Sequence, residues 1–188
     1  YSLILKVKTN LLFLLSALPD LFSYSPAVGD GSGTEFSTAN EGRITGIRVW
    51  ESNYYWGGFY ISGFQLKYES NWTAVVGANG GNLMEMILND KEAIIQISGK
   101  YYSGYIYELV FITNQWRFFK VGQSSGVSFN FYPTQKGNEL RFLSGRQNGN
   151  GITSIGAHWA AIPGSAGKSD METGSDEWIR SRGVETSR

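Results

Sequence analysis

An all-β domain is the fold class the sequence predicts. From Val28 to Pro163 short apolar or alternating runs recur, Gly, Asn and Ser separate them, and no stretch keeps helical periodicity. The 188 residues suit one domain, and 11 Tyr, 11 Phe and 6 Trp can fill a sizeable core. In chain order the expected strands begin with 44–50, where Ile47 and Val49 flank Arg48, and 61–68, where Phe64, Leu66 and Tyr68 alternate with Gln65 and Lys67. Met84, Met86 and Leu88 alternate in 84–88, 93–98 and 106–112 are nearly continuous apolar runs, and 116–121 carries Phe118, Phe119 and Val121. Phe129 and Phe131 alternate in 128–131, and two further runs, 139–144 and 152–159, end the series.

An internal repeat organises these strands. Ser98-Gly99-Lys100-Tyr101-Tyr102-Ser103-Gly104-Tyr105-Ile106 matches Ser144-Gly145-Arg146-Gln147-Asn148-Gly149-Asn150-Gly151-Ile152 without a gap, and Leu109 stays in register with Ile155. A weaker copy runs from Ser52 to Ile61. Each copy is a polar, Gly-containing loop feeding a strand, so three units of four short strands are expected to form three sheets around a pseudo-threefold axis.

The ends have a different composition. Lys6 and Lys8 precede the apolar stretch 11–18, which Pro19 and Asp20 end. That is the pattern of a secretory signal segment, assigned to residues 1–25, with Ala17, Ser23 and Ser25 as candidate cleavage flanks. It is too short to span a bilayer, so no stable membrane insertion is expected. The folded domain is assigned to 28–163. Residues 164–188 are rich in Gly, Ser, Thr and mixed charge and read as a disordered polar tail.

Composition narrows the function. With no Cys and the single His158, a disulfide framework, thiolate zinc sites, a cysteine nucleophile and nearly every His-based triad are excluded. No metal or cofactor is expected. Sixteen Lys plus Arg balance sixteen Asp plus Glu, and the assigned domain is itself neutral, with ten charges of each sign, which argues against nucleic acid and other polyanionic partners. A carboxylate pair such as Glu85 and Glu108 survives as a glycosidase candidate, yet strand carboxylates are usually solvated. His158 and Trp159 read as core or sheet-edge residues. Asn71-Trp72-Thr73 is a glycosylation sequon.

Several segments resemble the jacalin-related lectins, and within them an animal group, the zymogen granule protein 16 group. They are Gly31-Ser32-Gly33-Thr34-Glu35-Phe36-Ser37, Gly42 through Val49, Gln96 through Tyr101, Leu140 through Arg146, and Ile155-Gly156-Ala157-His158-Trp159. The resemblance implies a β-prism type I fold of three four-stranded Greek-key sheets. It also implies metal-free carbohydrate binding, often of mannose-type glycans, at one end of the prism. There a glycine loop, here Gly31, Ser32 and Gly33, joins a loop of pattern Gly, three residues, Asp, here Gly149, Asn150, Gly151, Ile152 and Thr153. Backbone N–H groups and a carboxylate suit vicinal hydroxyls. Position 153 departs from the pattern, because a neutral hydroxyl stands where relatives carry the acid, and Thr153→Asp is expected to strengthen mannose binding. The loop is also one residue longer than in relatives, with Asn148 and Asn150 as substitute acceptors. Tyr102 and Tyr105, on the neighbouring loop, are candidates to stack on a sugar.

The expected function is a secreted, non-enzymatic, metal-independent lectin with glycans or glycoproteins as partners, in the extracellular space or a secretory granule lumen. The alternatives are a β-prism scaffold that binds no sugar and acts in granule packing or protein association, and the lectin module of a longer pore-forming protein.

Overall fold

The computed structural model describes residues 22–54 and 58–161, as thirteen strands and no helix. They are β1 (Phe22–Gly29), β2 (Thr34–Ser37), β3 (Ile44–Tyr54), β4 (Gly58–Tyr68), β5 (Asn71–Trp72), β6 (Val76–Gly77), β7 (Asn82–Ile87), β8 (Ile94–Tyr102), β9 (Tyr105–Thr113), β10 (Phe118–Gly122), β11 (Val127–Phe131), β12 (Asn138–Gln147) and β13 (Ile152–Ala161). Three antiparallel sheets result, ordered β1-β13-β12-β2, β10-β9-β8-β11 and β5-β4-β3-β7, the last with β6 also pairing β4. The architecture is the expected β-prism type I.

The repeat is the centre of each sheet. β8–β9 and β12–β13 are the two repeated segments folded as hairpins, and β3–β4 is the third. In the second and third sheets the central hairpin is flanked by the next strand on one side and by a returning strand on the other, a Greek key. In the first sheet the key closes through both ends of the domain, because β1 pairs β13 and β2 pairs β12. That explains where the sequence reading fell short. β1 is an edge strand with Pro26 at an irregularity between Ser25 and Val28, and β2, β5 and β6 have four residues or fewer, so none carries a long alternation.

Strand limits also move. β8 starts at Ile94 rather than Ala93, and β10 starts at Phe118, since Trp116 lies in a turn with φ 61° and donates its N–H to Thr113 O. The domain assigned from 28 begins within β1, where Phe22 through Ser25 pair with Ala160 through Ala157. Ser25 is buried and its hydroxyl accepts the Trp159 Nε1–H at 2.9 Å, so the flanks Ser23 and Ser25 lie inside a paired strand. Ala17 and the rest of the signal assignment up to residue 21, the 164–188 tail, and Tyr55, Trp56 and Gly57 of the weaker repeat lie outside the described residues.

The core lies on the prism axis, where the inner faces of the three sheets meet. Ile47, Phe64 and Leu66 come from the third sheet, Ile97, Leu109 and Phe111 from the second, and Leu143, Ile155 and Trp159 from the first. Each has 1% exposure or less, and truncating one of the large rings to Ala costs about 3–5 kcal/mol.

Two buried carboxylates and His158 set the pH dependence of this core. Burial alone favours the neutral acid at Glu92, yet its bonds from the Asn89 N–H, the Thr113 hydroxyl and the Arg117 guanidinium outweigh it and hold the group below the ordinary carboxylate value. Glu108 behaves alike, with Ser124 and Lys120 as donors. Burial lowers the His158 pKa. The signs agree. The carboxylates stabilise the fold above their unfolded-state values and lose that contribution as pH falls through the lower folded ones. His158 adds a loss as pH drops below about 6.5, where the unfolded chain takes up a proton first. Urea denaturation is therefore expected to show a plateau near neutrality and a decline in two steps, the upper one absent in His158→Phe.

Candidate functional site

Three connections meet at one end of the prism: residues 30–33 between β1 and β2, the turn at 103–104 between β8 and β9, and residues 148–151 between β12 and β13. Two belong to the repeat, so the fold places them together for the same reason that it places the hairpins at the centres of their sheets. Ser103 and Gly104 both have positive φ, the two-residue turn that matches strand twist.

The glycine loop is tied to the 148–151 hairpin by specific bonds. The Gly31 N–H donates to Thr153 O at 3.2 Å, and the Arg146 guanidinium donates to Gly33 O at 2.9 Å and to Glu35 Oε1 at 2.7 Å. Gly33 has φ 88°, and a Cβ there would stand 2.2 Å from Gln147 O, so only glycine fits. Asn148 organises the other loop: its Oδ1 accepts the N–H groups of Asn150 and Gly151, each at 3.1 Å, and its Nδ2 donates to the Tyr105 hydroxyl at 3.0 Å. Gly151 lets Tyr105 and Tyr60 close over the hairpin, since a Cβ would lie 2.8 Å from each ring.

Thr153 is not at the rim. A register shift between Arg146 and Gln147 leaves it as the extra residue of β13, fully buried, with its hydroxyl donating to Ser32 O at 2.5 Å. The sequence-based expectation for Thr153→Asp treated this position as an exposed acceptor, whereas the structure makes it a buried donor that fixes the glycine loop. Ile152 is buried too, against Gly77 of β6. Asn148 Oδ1 is occupied by backbone donors, while Asn150 is exposed and its side chain has no partner among the described residues. The two tyrosines separate: Tyr102 is 58% exposed and free to meet a ligand, and Tyr105 is half-buried, its ring 4.7 Å from that of Tyr60.

What remains open to a ligand is a compact polar rim. The Ser32 and Gly33 N–H groups carry no hydrogen bond among the described residues, and neither does the Asp30 carboxylate. Asp30 is exposed, and its Oδ2 lies 3.9 Å from where a Cβ on Gly104 would stand, so it occupies the gap between the glycine loop and the Tyr102–Tyr105 turn. Sequence reasoning missed it. The available signal was an acid set between glycines in Gly29-Asp30-Gly31-Ser32-Gly33, where a short loop presents it to solvent.

The other candidates have structural partners. Glu85 pairs with Arg48 at 2.5 Å on the third sheet, and Glu108 with Lys120 at 3.0 Å on the second, so each is bound to its own sheet. His158 is stacked 3.9 Å from the Phe142 ring and 4.4 Å from Tyr24, with Nε2 at 2.8 Å from the Ser144 hydroxyl, and Trp159 is in the core. Asn71 is exposed at the start of β5, following a turn in which Glu69 has φ 50°. Among the described residues no group of three or more His, Cys, Asp or Glu is placed to hold a metal, and no helix is long and apolar enough to cross a membrane. Arg43, Arg48, Arg117, Arg141 and Arg146 are all ion-paired, so the guanidinium groups of the described residues form no free basic stripe.

Comparison with known proteins agrees with the fold. Residues 24–158 match the model of the jacalin-like lectin domain. Zymogen granule membrane protein 16 of Homo sapiens is 40% identical over 149 residues, which are 78% of this chain and 85% of that protein. The crystal structure of a prostate-specific WGA16 glycoprotein lectin superposes with TM-score 0.63 at 35% identity, covering 74% of this chain and 99% of that one. A Calsepa lectin solved in complex with a biantennary N-glycan shares the fold at 21% identity, with TM-score 0.62, covering 74% of this chain and 97% of its own.

Proposed function

The chain belongs to the jacalin-like lectin family, and from that premise we propose that it is a secreted, metal-independent lectin for mannose-type or related neutral glycans. One observation carries the reading: at the end of the prism where the glycine loop and two repeat hairpins meet, the exposed residues Ser32 and Gly33 have backbone N–H groups, and Asp30 a carboxylate, with no partner among the described residues, beside the exposed Tyr102 ring. Vicinal hydroxyls both donate and accept, so they satisfy the Asp30 oxygens and the Ser32 and Gly33 N–H groups together, and Tyr102 covers the C–H face of the ring. No proton transfer or bond cleavage is assigned to these groups.

Paired arginines and a neutral domain support neutral over anionic ligands. The name of the human relative supports a secretory granule, and exposure of Asn71 fits a chain glycosylated during secretion. A glycan array on the folded domain, run with and without EDTA, tests the reading. The expected result is selective binding of mannose-terminated glycans that EDTA does not change. An array with no response to any glycan favours the sugar-free scaffold instead.

A further inference from the structure

The outer face of the first sheet carries a second feature that the terminal site does not use. Cross-strand register sets Glu35 beside Arg146, Arg146 beside Ser154, and Ser154 beside Gly29 in one row. Further along, Phe142 pairs with His158 and His158 with Tyr24 in an aromatic row. Between the ion-paired row and the aromatic row lies a trough of about 430 Å³, in which Ala27, Gly29, Ser144 and Gly145 supply only small side chains. Gly31 and Arg146 line it as well, so it runs continuously into the glycine loop.

Ser154 shows that the trough is more than a surface dip. It is only 6% exposed, lines the cavity, and its hydroxyl has no hydrogen-bond partner among the described residues, yet no buried side-chain polar atom there is sealed from solvent without one. The hydroxyl therefore opens into the trough, where a ligand hydroxyl can take the place of water as its partner. The Tyr24 ring on one side is 50% exposed, and the Arg146–Glu35 pair on the other side is internally neutralised. A flat ring, a lone hydroxyl and a neutral polar wall match an uncharged pyranose rather than an anion, a peptide helix or a lipid chain.

We infer that this trough is a second saccharide subsite, which holds the units following the one bound at the glycine loop, so that the protein recognises a neutral oligosaccharide chain rather than a single terminal sugar. The inference rests on the proposed reading of the terminal site. Its test compares methyl α-mannoside with α-linked mannotriose by calorimetric titration of three proteins: the native chain, Ala27→Trp and Ser154→Ala. Ala27 is exposed at the irregular part of β1, so an indole there fills the trough without entering the core. For the native chain, mannotriose is expected to bind about tenfold or more tighter than the monosaccharide. Ala27→Trp is expected to remove that gain and leave the monosaccharide affinity unchanged. Ser154→Ala is expected to reduce it by about fivefold, the effect of one neutral hydrogen bond. Equal affinity of the native chain for both probes, or a full gain retained in Ala27→Trp, overturns the trough and leaves the terminal site standing. Binding of neither probe overturns both.

Discussion

Gly33→Val is expected to abolish glycan binding and to lower the melting temperature by about 10 °C. Two costs act together. At φ 88° a β-branched residue is held in the left-handed region, which costs about 1–2 kcal/mol, and its Cβ would start 2.2 Å from Gln147 O and 2.8 Å from Asn148 Cα. These are backbone atoms of the neighbouring hairpin and cannot swing aside, so the loop itself must move. Moving it breaks the bonds from Arg146 to Gly33 O and from Thr153 to Ser32 O, which hold the Ser32 and Gly33 N–H groups in place. Strain plus one or two lost bonds is about 2–3 kcal/mol, which for a domain of this size is about 10 °C. Gly80→Val is the matched control, since a Cβ on Gly80 meets nothing within 4 Å. Calorimetry and mannoside titration on both variants check the prediction. Native-like binding by Gly33→Val would show that the glycine loop is not part of the site.

How far the sequence carries this picture depends on where the information sits. The central hairpins were legible because their strands bury alternate residues and their loops repeat, as in Ser98 to Ile106 and Ser144 to Ile152. β1 was not, because an edge strand broken at Pro26 has no alternation to read, and its membership depends on pairing with β13, far away in the chain. At the proposed site, the motif paired the glycine loop with the 148–151 hairpin, and the two loops do lie together, but the burial of Thr153 depends on a one-residue register shift that no residue type announces. Tyr102 and Tyr105 look equivalent in sequence. A two-residue turn sends one to solvent and packs the other on Tyr60.

That register shift leads to the second large effect, at Asp30. With Thr153 buried as a donor, position 153 offers the rim no acceptor, and Asp30 is an exposed carboxylate with no partner among the described residues. A bond to an ionised acceptor contributes about 1.5–3 kcal/mol against about 1 for a neutral one, so Asp30→Asn is expected to weaken mannoside binding by about tenfold. Because the side chain is exposed and makes no ion pair within the described residues, the melting temperature should stay within about 1 °C of the native value. Thr153→Asp provides the contrast. It deletes the donor to Ser32 O and sets a carboxylate against that carbonyl in a fully buried position, so it is expected to destabilise the domain by about 2 kcal/mol or more. If the acid acted only by its presence near the glycine loop, Thr153→Asp would rescue Asp30→Asn. If its geometry decides, as the buried hydroxyl of Thr153 requires, the double variant binds no better than Asp30→Asn and melts lower. Isothermal titration of the four proteins separates these outcomes, and rescue by Thr153→Asp would return the acceptor role to position 153.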